Sequence, residues 1–81
     1  MEYKYTIYKD TYLYILVQSS DEFNSLKEIH NDILKEKYAI KNIIIAYQNN
    51  GQFIPKSNQI NVPNINEIYN ELIWKDSKIT L

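Results

Sequence analysis

At 81 residues with a net charge of −1, the chain has room for one domain with one modest core, and its mixed charges create no field steering it to nucleic acid or anionic membrane. It has no cysteine, which excludes disulfides, thiolate nucleophiles and cysteine metal sites, and no arginine, which weakens the case for phosphate and guanine recognition. No run approaches the roughly 20 apolar residues of a membrane span. Glu2 and Lys4 interrupt the start and the longest early apolar run is Leu13–Val17, so no signal segment is read and a cytoplasmic protein is expected. Nine lysines, 14 Ile, 10 Asn and 8 Tyr fit an AT-rich coding genome, that of a low-GC bacterium, its phages or an archaeal virus.

Residues 3–18 hold Tyr3, Tyr5, Tyr8, Tyr12 and Tyr14 among β-branched and aliphatic residues, divided by Lys9-Asp10-Thr11. This reads as a β-hairpin. A two-residue loop would mix Lys4 and Thr6 with Leu13 and Ile15 on one face. A three-residue loop sets Ile7 opposite Leu13, Tyr5 opposite Ile15 and Tyr3 opposite Val17. One face is then wholly apolar or aromatic, and the other carries Lys4, Thr6, Tyr8, Tyr12, Tyr14 and Leu16. Since a one-residue slip exchanges the faces, the cleaner segregation predicts the three-residue loop, although the turn lacks the Gly or Asn that tight hairpins favour.

Ser19 and Glu22 form a capping box opening a helix from about Ser20 to Tyr38, with Phe23, Leu26, Ile33 and Leu34 on one arc. Residues 39–48 read as a buried strand through Ile43-Ile44-Ile45-Ala46-Tyr47. Asn50-Gly51, with the only glycine, predicts a tight turn into an antiparallel strand that Pro55 ends or confines to an edge. Residues 56–63 are loop-like, with an extended piece through Ile60 and Val62. Asn64 and Glu67 cap a second helix, where Ile65, Ile68, Tyr69, Leu72 and Ile73 repeat at helical spacing. Residues 77–81 alternate and read as either a last strand or a flexible tail.

The expected fold is therefore α+β, a single domain over 1–81 in two layers. Its small antiparallel sheet, in ββαββα order, carries both helices on one face. A last strand would give the ferredoxin-like βαββαβ order with an extra N-terminal strand.

Few residues suggest chemistry. His30 is the only histidine, has no nucleophile or acidic ligand set beside it, and reads as a core-edge residue. Lys37, on the same arc, is expected to extend its head to water. Glu28, Asp32 and Glu36, four residues apart, form an acidic stripe that is either an ordinary solvated face or a surface for a basic partner. Trp74 falls about 170° from the apolar arc of the second helix. It is either an exposed anchor or, if the helix frays near Ile73, folds under with Ile79 and Leu81. Three readings compete for Tyr8, Tyr12, Tyr14 and Leu16: a base-stacking face, a protein interface, or a patch closed by the C-terminal segment. Leu13-Tyr14-Ile15 has the aliphatic–aromatic–aliphatic start of the RNP2 motif, but nothing later matches RNP1.

With no paired catalytic constellation, no cofactor motif and no metal set, a non-enzyme is expected. The leading reading is a small protein–protein interaction module, a regulator, inhibitor or accessory protein that self-associates through its sheet as a homodimer. The alternative is a single-stranded RNA- or DNA-binding module using the tyrosine face.

Overall fold

The computed structural model describes residues 1–29, 31–57 and 61–79. His30, Ile60, Thr80 and Leu81 lie outside the described residues, as do the side chains of residues 27–29, 31 and 57. In chain order the elements are β1 (Glu2–Tyr8), β2 (Tyr12–Val17), α1 (Ser20–Ile29), α2 (Asn31–Tyr38), β3 (Asn42–Asn49) and β4 (Gln52–Ser57). They are followed by α3 (Ile65–Ile68), a 3-10 turn (Tyr69–Glu71) and β5 (Lys75–Lys78).

The hairpin takes the register that segregates its faces. Ile7 pairs with Leu13, Tyr5 with Ile15 and Tyr8 with Tyr12, around a Lys9-Asp10-Thr11 loop. Lys9 and Asp10 both sit in the left-handed region, at φ 54° and 56°, and the Thr11 N–H closes the turn on the Tyr8 carbonyl at 3.1 Å. Left-handed backbone costs such residues about 1 kcal/mol each. Burying one coherent face outweighs that cost.

The chain then crosses over through α1 and α2 to β3, which lies parallel to β2, with Leu13 beside Ile43 and Ile15 beside Ile45. The Ser19 hydroxyl accepts the Glu22 N–H at 3.3 Å, and the Glu22 carboxylate reaches back to the Gln18 N–H at 3.0 Å. Ala39, left-handed at φ 57°, ends α2. Asn50 and Gly51, at φ 52° and 80°, make the expected tight turn between β3 and β4. The full order is β4-β3-β2-β1-β5, which places Pro55 on an edge strand.

The α+β class holds, and the pairing refines it. The sheet is mixed rather than wholly antiparallel, because a helical crossover returns the chain beside β2 in the same direction. The βαββαβ order with its extra first strand is present. The ferredoxin-like pairing is not, because that split βαβ unit needs a strand between its two parallel strands, and here β2 and β3 are neighbours.

Apolar side chains fill both faces of the sheet. Tyr3, Leu13, Ile15, Val17, Ile43 and Ile45 pack with Phe23, Leu26, Leu34 and Ile40 on the α1–α2 side. Tyr14, Ile44 and Ala46 pack with Ile65 and Leu72 on the other. The second predicted helix thus covers the face opposite the first, and it is only one turn long. Carried on as a helix, it would have left Trp74 in solvent. Extended chain after Glu71 instead alternates Leu72 inward, Ile73 outward and Trp74 inward. So short a helix is marginal by itself, and packing decides against it. Ile33, assigned to the core arc, is 48% exposed.

Candidate interaction surface

The centre of the tyrosine face is closed within the fold. Tyr14 has no exposed surface, and its hydroxyl donates to the Pro63 carbonyl at 2.6 Å. Burial, helped by the neighbouring Tyr8 and Tyr12, pushes the Tyr14 hydroxyl up to about 12. Tyr8, Tyr12 and Leu16 are half-buried around the same core. Of the three readings for these residues, the structure places them as a patch covered by the C-terminal part of the chain. The cover is α3 and the segment after it, through Trp74. Tyr14 is therefore not a surface residue.

Asn66 fixes that cover in place. Its side-chain amide accepts from the Phe53 N–H at 2.8 Å and donates to the Phe53 carbonyl at 3.0 Å. It occupies the β4 edge as a neighbouring strand would, and the Asn64 side chain, which caps α3, holds the Asn66 N–H at 2.9 Å.

Trp74 is half-buried beside Tyr69, which stacks on Phe53 with ring centroids 4.7 Å apart. The fraying alternative is the one realised, although Trp74 joins the Tyr14 side while Ile79 packs with the other core. Its indole N–H is buried with no hydrogen-bond partner among the described residues. An unmet buried donor costs about 1–3 kcal/mol. Trp74→Phe removes the donor while keeping an aromatic ring, so its stability should stay within about 1 kcal/mol of wild type, against a loss of roughly 3 kcal/mol for Trp74→Ala. Chemical denaturation of the two variants checks this, and equal losses would refute the account.

Asp32 and Glu36 are exposed, and Lys35 approaches Asp32 at 3.9 Å, a solvated helix pair. The Glu28 side chain is among those not described. Lys37 does not simply extend into water. Its ammonium reaches the Tyr3 hydroxyl at 3.4 Å and the Ser77 hydroxyl at 3.3 Å, and Tyr3 meets Tyr38 at 2.7 Å. This network ties β1, α2 and β5 together. Burial pushes Tyr3 up, but hydrogen bonds with Ser77, Tyr38 and Lys37, and the Lys37 charge, outweigh it and hold Tyr3 below the ordinary tyrosine value. Tyr38 is pushed up, first by burial and then by its bond to Tyr3.

Two concavities lie along the β1–β5 side. A groove of 720 Å³ is lined by Glu2, Lys4, Leu16, Gln18, Asp76 and Lys78 among others. Strand register sets Glu2 opposite Lys78 and Lys4 opposite Asp76, so its charges are complementary across the strands. The smaller cleft, of 280 Å³, is formed by residues 5–8 and by Glu71, Leu72, Ile73 and Lys75. Here lie Ile73, at 80% the most exposed large apolar residue among the described residues, and Ile7 at 44%.

Backbone alternation explains why Ile7 is open. Met1 and Ile79 exchange both backbone bonds, at 2.9 and 2.8 Å. Tyr3 pairs with Ser77 and Tyr5 with Lys75, and Ile7 is next in that series, but β5 begins only at Lys75. Sequence reasoning missed this site because it gave Ile7 to the core and Ile73 to a helix face. The alternation of Leu72-Ile73-Trp74 was the available signal.

Among the described residues no cluster of His, Asp or Glu is suited to a metal ion, and no helix is long and apolar enough to cross a membrane. No protein-family model, curated protein or solved structure matches the chain.

Proposed function

We propose that this chain is a small non-enzymatic protein–protein interaction module, a regulator, inhibitor or accessory protein, working through the Ile7–Ile73 end of its sheet. The observation that carries this reading is the pairing of two exposed isoleucines in a cleft rimmed by Glu71 and Lys75. Large apolar groups grouped at a strand edge and rimmed by polar ones mark contact surfaces, whereas isolated ones such as Ile33 need no explanation. The cytoplasm of a low-GC bacterial or viral system fits the composition. The nucleic-acid alternative loses its main support, since its central stacking residue, Tyr14, is enclosed.

Affinity capture with the full chain, from a lysate of the native host, tests the surface. Wild type is expected to retain a partner that Ile7→Asp/Ile73→Asp loses and Asp32→Lys/Glu36→Lys keeps. Equal recovery by wild type and the isoleucine variant would reject this surface.

A further inference from the structure

We infer that the occupant of the Ile7–Ile73 cleft is a second copy of this chain, docked about a two-fold axis beside Ile73. The inference rests on the interaction reading above and names its partner.

A two-fold interface must be self-complementary, since each patch meets its own image. Ile73 has Glu71 two residues before it and Lys75 two residues after it, and all three border the same cleft. Antiparallel apposition about Ile73 sets isoleucine against isoleucine and each Glu71 against the partner's Lys75. An apolar centre between two opposite-charge pairs is the core-and-rim pattern of protein contacts. The middle of β5 is a poor centre for self-pairing. Apposed about its own middle, β5 would set Lys75 against Lys78, a like-charge pair that guards an edge strand. Apposition about Ser77 would also set each Asp76 against the partner's Lys78, but around a polar centre; the register about Ile73 places a large exposed apolar residue between its opposite-charge pairs.

The patch is small, which places the dimer at the weak end of specific contacts, with a dissociation constant of roughly 10–100 micromolar. Light scattering on the full chain across a concentration series is expected to rise from monomer to dimer mass. Ile73→Glu should weaken dimerisation about tenfold or more. Glu71→Lys and Lys75→Glu, each creating two like-charge pairs by symmetry, should each weaken it roughly three- to tenfold. The swap Glu71→Lys/Lys75→Glu should restore it, and circular dichroism of each variant confirms folding. Wild type that stays monomeric at high micromolar concentration would overturn the inference, as would a double swap no better than either single change. Monomeric wild type that still loses its captured partner on Ile7→Asp/Ile73→Asp would overturn the second copy alone and leave the interaction reading standing.

Discussion

Tyr14→Ala is expected to lower the melting temperature by roughly 20 °C or more. Tyr14 is fully buried on β2, among Ile44, Ala46, Ile65 and Leu72, so truncation opens a cavity under α3. Removing a large aromatic side chain from a core costs about 3–5 kcal/mol, and losing the bond to the Pro63 carbonyl adds about 1 kcal/mol. A domain of this size has only about 4–12 kcal/mol in total. Tyr14→Phe keeps the ring and loses the bond alone, so it should cost about 1–2 kcal/mol. Thermal melts of both variants decide between a core and a binding face. An exposed stacking residue would tolerate alanine, so a Tyr14→Ala melt within about 5 °C of wild type would mean the face is open.

The sequence carried the hairpin and its register plainly, because only one parity sorted the apolar residues onto one face. It also carried the Asn50-Gly51 turn and the first helix cap, and of the two places it allowed Pro55, a strand end or an edge strand, the edge is the one taken. What it hid was non-local. A one-sided sheet alternates, yet residues 13–15 and 43–46 are buried in unbroken runs. Such runs belong to strands covered on both faces and beside a parallel neighbour. That signal was present in Ile43-Ile44-Ile45-Ala46, and reading it as a mere buried strand lost the second core. The helical spacing of residues 65–73 was real but misleading, since Leu72 and Ile73 satisfy that spacing while Trp74 does not. Burying Trp74 and pairing β5 with β1 both require extended chain, so the helix yields after one turn. The candidate surface follows from that change: Ile73 is outward because the chain is extended there.

Alkaline pH should weaken the fold through the same residue that anchors the second core. A tyrosine is half ionised near pH 10 in an unfolded chain. Burial beside Tyr8 and Tyr12 delays Tyr14 to about 12 in the folded protein. The folded value is raised, so its contribution is complete below about pH 10 and is lost as pH rises from there through the folded value. A displacement of about two units corresponds to roughly 2–3 kcal/mol, a large share of the stability of so small a domain. Tyr38 is raised too and acts in the same direction. Tyr3 is lowered, so it stabilises the fold at high pH and partly offsets them, with Lys37, Ser77 and Tyr38 as the groups around it. Denaturation measured from about pH 8 to pH 12 should show a fall beginning near pH 10. Differences between the variant and wild-type curves isolate each tyrosine. Tyr14→Phe should flatten most of the fall, whereas Tyr3→Phe should steepen it. A Tyr14→Phe curve running parallel to wild type would mean that the Tyr14 hydroxyl is hydrated, and the closed second core could not then stand.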